Sequence, residues 1–183
     1  MTVILVITGM PYSGKTEAAN VAAERGIKVI NMGDVVREEA RKRGLEGTRE
    51  TLERLMRELR KTMGMGAVAK LCCERISEED KLVVIDGARN LEEIGEFNKK
   101  GITLLLAIHA SPRTRFLRAL KRGRKDDVKT WREFVRRDIA ELEVGLGNLI
   151  ALADAMIVNE GTLEDLRQKM NYVLNVVEQL AES

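Results

Sequence analysis

The chain has 183 residues, of which 33% are charged and 44% hydrophobic, and its formal net charge is +2. Such a length suits one domain that buries roughly 70% of its unfolded surface, and such a composition excludes a disordered chain. A charge this close to neutrality gives no global attraction to nucleic acid or to a membrane surface, and no apolar run reaches spanning length. The two cysteines, Cys72 and Cys73, are sequence neighbours, so no disulfide framework is expected. Without a signal-peptide pattern at the start, the expectation is a cytoplasmic protein with no membrane partner.

Residues 2–8, TVILVIT, are near-continuously apolar, as suits a strand buried on both faces of a sheet. Directly behind them stands GMPYSGKT at 9–16, which satisfies G-x-x-x-x-G-K-[ST] through Gly9, Gly14, Lys15 and Thr16. An alanine-rich helix is predicted near 15–25. This order of strand, glycine loop and helix suits the holding of phosphate. Backbone amides of Gly9, Met10, Pro11 (which lacks one), Tyr12, Ser13 and Gly14 would wrap the anion, and bulky side chains on their inner side would obstruct it. The helix start adds unsatisfied N–H groups. Lys15 is expected to reach the β- and γ-phosphates and the Thr16 hydroxyl to ligate Mg²⁺, with ATP and Mg²⁺ as the cofactors.

KVIN at 28–31 reads as a second strand, and the string INMGDVVREEA at 30–40 opens a helix near 34–43. Asp34 and Arg37 lie three apart on one face of that helix. A guanidinium held there can grip a phosphate through two parallel hydrogen bonds, because strand ends of an open parallel sheet line the ligand crevice. The helical stretch at 48–76 places Leu52, Leu55, Met56 and Leu59 on one face. It is too long for a simple crossover, so residues of about 38–78 are predicted as an acceptor-binding insert or flap. Cys72 and Cys73 within it are read as packing residues. The third strand, KLVVID at 81–86, ends in Asp86, the expected partner of Thr16 in the metal shell. Arg89 follows three residues later in DGARN, a second arginine for the acceptor, ahead of a helix near 90–99.

ITLLLAIH at 102–109 is the fourth strand, and His109 reads as a packed strand-end residue. The run RTRFLRALKRGRK at 113–125 holds seven basic residues and no acid. Residues of about 113–137 are predicted as a mobile lid over the transferred phosphoryl group, with helices near 112–122 and 127–146. Arg118, Arg122 and Arg124 are its candidate catalytic arginines, and Arg136 and Arg137 the second choices. Gly123 breaks the helix where a hinge would be useful. Trp131 and Phe134 read as core or lid packing, and Phe116 alone beside the basic run is too little stacking surface for a nucleic-acid module. AMIV at 155–158 is the fifth strand, and Asn159, Glu160 and Gly161 behind it are placed to cup a nucleotide base. Thr162 and Asp165 form a capping-box pattern for a last helix near 162–181. The alternation predicts a single three-layer α/β/α domain over 1–183 around a five-stranded parallel sheet.

GMPYSGKT, GDVVREE and DGARN together resemble the phosphate loop, the G-D-x-x-R-E-E string and the D-G-x-x-R element of the nucleoside monophosphate kinase superfamily. The chain is similar to this adenylate-kinase-like group nearly end to end, and closest to an uncharacterised archaeal group of P-loop kinases. The resemblance implies a P-loop NTPase fold and phosphoryl transfer from MgATP to a nucleoside monophosphate or similar small nucleotide. It implies that Arg37 grips the acceptor phosphate. A second likeness runs through ADAMIVNEGTLEDL and, in part, KVINMGDVVRE, which resemble segments of dephospho-coenzyme A kinases. That likeness implies phosphorylation of a 3′-hydroxyl, for which Asp34 would be the proton acceptor. A reading of another class is a regulatory P-loop ATPase or switch. No N-K-x-D guanine reader is present, since NKKG at 98–101 is not one, and the lid lacks the cysteines of a zinc-bearing lid. Ala88 stands where adenylate kinases usually carry proline. Monomer and homodimer are both open.

Overall fold

In the computed structural model, residues 1–124 and 127–182 are described. Lys125 and Asp126 of the expected lid, and Ser183, lie outside the described residues. The apolar run behind the first residue forms β1 (Val3–Thr8), buried along its whole length. It pairs in parallel with β3 (Leu82–Asp86) on one side and β4 (Ile102–His109) on the other. β2 (Lys28–Asn31) adds outside β3 and β5 (Ala155–Val158) outside β4, giving a five-stranded parallel sheet in the order β2-β3-β1-β4-β5. Register places Asn31 opposite Asp86 and Asp86 opposite Ile7, so Thr8, Asn31 and Asp86 share the carboxyl edge of the sheet.

Alternation along β1 assigns its side chains to two layers. Val3, Leu5 and Ile7 pack with α1 (Lys15–Glu24) and α9 (Leu163–Glu182), through Ala18, Ala22, Leu166 and Met170. Ile4 and Val6 face the opposite layer, built from α2 (Met32–Lys42), α3 (Arg49–Met63), α4 (Ala67–Cys73), α5 (Leu91–Phe97) and α8 (Leu146–Ala151). Burial of each such Leu or Ile side chain contributes about 1.5–3 kcal/mol. The fold is that of a P-loop NTPase, with helices on both faces of the sheet.

Three local expectations change. The helical stretch expected at 48–76 holds two helices, because Gly64 at φ +89 ends α3 before α4 begins. Its Leu55 and Leu59 join the same apolar cluster as β1, so this insert is built onto the main core. Likewise 127–146 divides at Gly145, φ +110, into α7 (Trp131–Val144) and α8. His109 is exposed at the end of β4 rather than packed. Cys72 and Cys73 are free and buried in the core, and burial pushes the Cys72 thiol up to about 12, as befits packing residues.

The segment read as a lid consists of α6 (Pro112–Arg122) and α7, separated after Gly123 at φ +58. A capping box at Thr130 and Glu133 starts α7. Between them lies a small core of Ala119, Val128 and Phe134, with Tyr12, Phe116 and Val135 against it. Trp131 stacks on Phe134 at 5.2 Å between ring centroids and meets Phe116 edge-on at 5.3 Å. No described helix is long and apolar enough to cross a membrane.

Candidate active site

Behind β1 the chain turns through Gly9–Gly14 into α1, and each glycine is there for a steric reason. A Cβ on Gly9 (φ +148) would stand 2.2 Å from the Ile108 carbonyl oxygen. One on Gly14 (φ +108) would stand 2.4 Å from the Asn159 side-chain nitrogen. Tyr12, at φ +65, is the only non-glycine among the described residues with a positive φ, a conformation that costs about 1–3 kcal/mol. The loop is braced from behind: the Ser13 carbonyl accepts hydrogen bonds from Asn159 Nδ2 at 2.8 Å and from Arg118 at 3.4 Å. The Ser13 hydroxyl is buried without a hydrogen-bond partner, and α1 starts with no side-chain cap. Lys15 folds back over the loop, donating from Nζ to the carbonyls of Gly9 at 2.7 Å and Met10 at 3.0 Å. Burial lowers its pKa from 10.5 to about 8, with the Asp86 charge the largest opposing influence. An orphaned hydroxyl, an uncapped helix start and an ammonium bound only to carbonyls fit a polyphosphate chain.

Lys15 stands where three clefts meet. One, of about 230 Å³, is lined by Tyr12, Gly14, Thr16 and the lid residues Arg118, Arg122 and Arg124. A second, of about 190 Å³, reaches from Thr16 and Asn31 past Asp86 and Arg89 to Met56, Arg60 and Glu93. The third, of about 120 Å³, joins Gly9 and Pro11 to Arg89, Arg137 and Glu141. The lysine thus faces one cavity lined by arginines of the 113–124 segment and another lined by Asp86, Arg60 and Arg89.

Asp86 is buried at the strand edge and accepts a hydrogen bond from Asn31 Nδ2 at 2.8 Å. Burial raises its pKa, against the pull of the Lys15 ammonium and the Asn31 amide. Thr16 and Asp86 share the 190 Å³ cleft, so both could hold Mg²⁺, the remaining oxygens coming from phosphate and water. No group of three or more His, Cys, Asp or Glu side chains able to hold a metal occurs among the described residues. Opposite Asp86, Arg60 lies 3.7 Å from Glu93 and Arg89 lies 3.6 Å from Glu141. Glu93, 1% exposed, has its carboxyl pKa raised by burial and accepts the Arg89 backbone N–H at 2.7 Å.

The expected residues divide. Lys15, Thr16, Asp86, Arg89, Arg118, Arg122 and Arg124 all line clefts that contain Lys15. Arg118 is also anchored, donating to the Asn159 carbonyl at 2.8 Å. Arg122 pairs with Asp127 and lies over the Tyr12 ring at 5.0 Å. Arg137 lines the small cleft and donates to the Tyr12 hydroxyl at 2.7 Å, whereas Arg136 faces an outer groove. Asp34 and Arg37 line none of the clefts that contain Lys15. They pair with each other at 2.5 Å on the exposed start of α2, because an i,i+3 spacing brings carboxylate and guanidinium together. Asn159 is buried, and its amide is committed to Ser13, so it braces the phosphate loop instead of presenting that amide to a base.

Two groups escaped the sequence reading. Arg60 lines the cleft with Asp86 and Arg89; it sits four residues after Met56 at the edge of the apolar face, a signal too slight to single it out. Glu141, from α7, has a buried carboxylate oxygen without a hydrogen bond. It was one acid among many in a charged helix.

Comparison with known proteins agrees with the fold. A family model described as an AAA domain matches residues 8–135. The UPF0200 protein of Hyperthermus butylicus is 49% identical over 173 residues, covering 94% of this chain and 93% of the relative. That of Sulfurisphaera tokodaii is 48% identical, covering 93% and 95%. Among solved structures, TT1252 from Thermus thermophilus superposes with a TM-score of 0.66 at 22% identity, covering 95% of this chain and 97% of its own. Shikimate kinase from Bacteroides thetaiotaomicron gives 0.60 at 17% identity, covering 94% and 98%. The chain belongs to the UPF0200 family, and its P-loop NTPase fold is shared with these solved structures.

Proposed function

We propose that this UPF0200 protein is an ATP-dependent small-molecule kinase that transfers the γ-phosphoryl group of MgATP to a nucleoside monophosphate or similar nucleotide. The observation that carries the reading is the position of Lys15, at the meeting point of a cavity lined by lid arginines and one lined by Asp86, Arg60 and Arg89. Transfer between two phosphates asks for positioning and charge neutralisation rather than a strong base, and the surplus of guanidinium groups supplies that.

In this reading the loop amides and Lys15 orient the donor phosphates. Thr16 and Asp86 would hold Mg²⁺, which when bound supplies charge stabilisation between the phosphoryl oxygens. Arg118, Arg122 and Arg124 cover the donor side and exclude water. Arg60 and Arg89 fix the acceptor. A second reading, transfer to a hydroxyl, is favoured by Glu141, whose unbonded carboxylate oxygen lies in the clefts shared with Arg89. In that case Glu141, which faces Arg89 at 3.6 Å inside a cleft that contains Lys15, would accept the proton in place of Asp34, which pairs with Arg37 outside it.

The test is ADP release from MgATP across AMP, CMP, UMP, GMP, their deoxy forms and dephospho-coenzyme A. Stimulation by a monophosphate, to turnover on the order of 1–100 per second, is the expected result. Lys15→Ala should abolish it with the fold intact by circular dichroism. Normal turnover in that variant would refute the triphosphate site, and stimulation only by dephospho-coenzyme A would favour the hydroxyl reading.

A further inference from the structure

The acceptor cavity does not end at Arg60 and Arg89. Met56, Arg60 and Arg89 also line a further cleft of about 260 Å³, whose other walls include Arg57, Ala140 and Glu141. Arg49, Glu53, Arg137 and Ala140 carry that cleft on into an outer groove of about 580 Å³, where Arg136 stands. The trench runs between one face of α3 and one face of α7. On α3 the lining positions are Arg60, Met56 with Arg57, Glu53 and Arg49, spaced three to four residues apart. On α7 they are Val144, Glu141 with Ala140, Arg137 with Arg136, and Glu133. The α3 stripe alone is roughly 16 Å long at the rise of an α-helix.

The trench is left positively charged. Its carboxylates are answered: Glu53 pairs with Arg49 at 2.9 Å, Asp127 with Arg122, Glu141 faces Arg89 at 3.6 Å without a hydrogen bond, and Glu133 accepts backbone N–H groups at the start of α7. Arg57 and Arg136 make no hydrogen bond or ion pair among the described residues. Deeper in, the Arg60 Nε is buried without a hydrogen-bond partner, and it belongs to the wall that the acceptor cavity and the trench share. A mononucleotide phosphate held at Arg60 and Arg89 leaves the two outer guanidiniums unanswered.

Resting on the kinase reading, we infer that the acceptor is an elongated nucleotide with a second anionic phosphate or phosphodiester group, bound in the α3–α7 trench by Arg57 and Arg136. The first anionic group meets Arg60 and Arg89 and sets the reaction centre. The second sets specificity, since planar guanidiniums favour phosphate oxygens.

The experiment is isothermal calorimetry with the donor site filled by a non-hydrolysable MgATP analogue. The probes are AMP, adenosine 3′,5′-bisphosphate and the 5′-phosphorylated dinucleotide pApA. At least one of the two doubly anionic probes should bind tenfold or more tightly than AMP. The double variant Arg57→Ser/Arg136→Ser should weaken that probe at least tenfold more than it weakens AMP. Equal affinities for all three probes in the unaltered protein overturn the inference, as does an advantage that survives the double substitution. If the ATP analogue binds but none of the probes does, the inference falls while the donor site stands. If the analogue itself does not bind, the kinase reading falls with it.

Discussion

At the scale of a single residue, the environment of Lys15 makes a pH prediction. Burial lowers its pKa to about 8, so the free protein holds the ammonium below that pH and loses it above. A base depressed on folding destabilises the fold while it is charged, so its contribution becomes more favourable as pH rises from about 8 toward its ordinary value of 10.5. A polyphosphate needs the charged form and raises the pKa again. Binding of a MgATP analogue should therefore take up close to one proton at about pH 9 and almost none at about pH 6.5. Calorimetry in buffers of different ionisation enthalpy measures this, and the Lys15→Met variant should show no uptake. Absence of uptake at about pH 9 in the unaltered protein would show that Lys15 is already charged there, against the lowering by burial. The phosphate loop was legible in the sequence because its chemistry is local: eight consecutive residues hold the glycines, the lysine and the threonine. Of the two arginines in the cleft with Asp86, Arg89 was legible and Arg60 was not. Arg37 stands in a recognisable string, yet its own neighbour Asp34 neutralises it, whereas Arg60 reaches the cavity only because Leu55 and Leu59 fix the rotation of α3 against the core.

Among the elements, α6 and α7 depend on one buried ion pair. Arg115 is 3% exposed and meets both oxygens of Asp138, at 2.8 and 2.6 Å. It also donates to the Ala110 carbonyl at 3.1 Å and the Pro11 carbonyl at 3.2 Å, and lies over the Phe134 ring at 4.9 Å. One side chain thus joins both lid helices to the phosphate loop. Arg115→Met should leave the Asp138 carboxylate uncompensated and cost about 3–5 kcal/mol, because removal of one partner strands a partly buried charge. Arg115→Met/Asp138→Leu should recover most of that loss, since an apolar pair of similar volume avoids the desolvation penalty. Urea unfolding midpoints decide it, and a single-variant loss below about 1 kcal/mol would show that the pair is not what holds the helices together. In the sequence Arg115 was one of seven basic residues and could not be told from those that face the cleft. Burial, which separates them, depends on how α6 packs against α7. The helix ends were easier to read: Gly123 closes α6 as its position suggested, while Gly64 and Gly145 were passed over because the apolar periodicity runs on across them.

Across the whole molecule, the five apolar runs in alternation with helices were enough to predict the layers, but strand order was not visible, since pairing across the sheet joins segments far apart in sequence. Tyr12 joins the loop behind β1 to the α6–α7 segment. Its ring belongs to the lid core, and its hydroxyl accepts from Arg137 at 2.7 Å and donates to Asp127 at 3.3 Å. Asp127 is held down to about 2, first by the Arg122 hydrogen bond and then by the Arg124 backbone N–H and the Tyr12 hydroxyl among smaller influences. An acid depressed in this way stabilises the lid above its ordinary value of 3.8, and the stabilisation is lost as pH falls toward 2. Trp131, the single tryptophan, stacks in the same cluster and reports on it directly. Its emission should therefore shift between about pH 4 and pH 2, and the Asp127→Asn variant should show the acid-type emission at neutral pH. Tyr12→Phe keeps the ring but removes the joint, so it should lower lid stability by about 1 kcal/mol while leaving the Trp131 environment near its neutral form. In the same variant, a MgATP analogue should produce a smaller change in Trp131 emission than in the unaltered protein, because the loop can no longer pull on Asp127 and Arg137. An undiminished change would mean that the lid senses the donor site through its arginines alone.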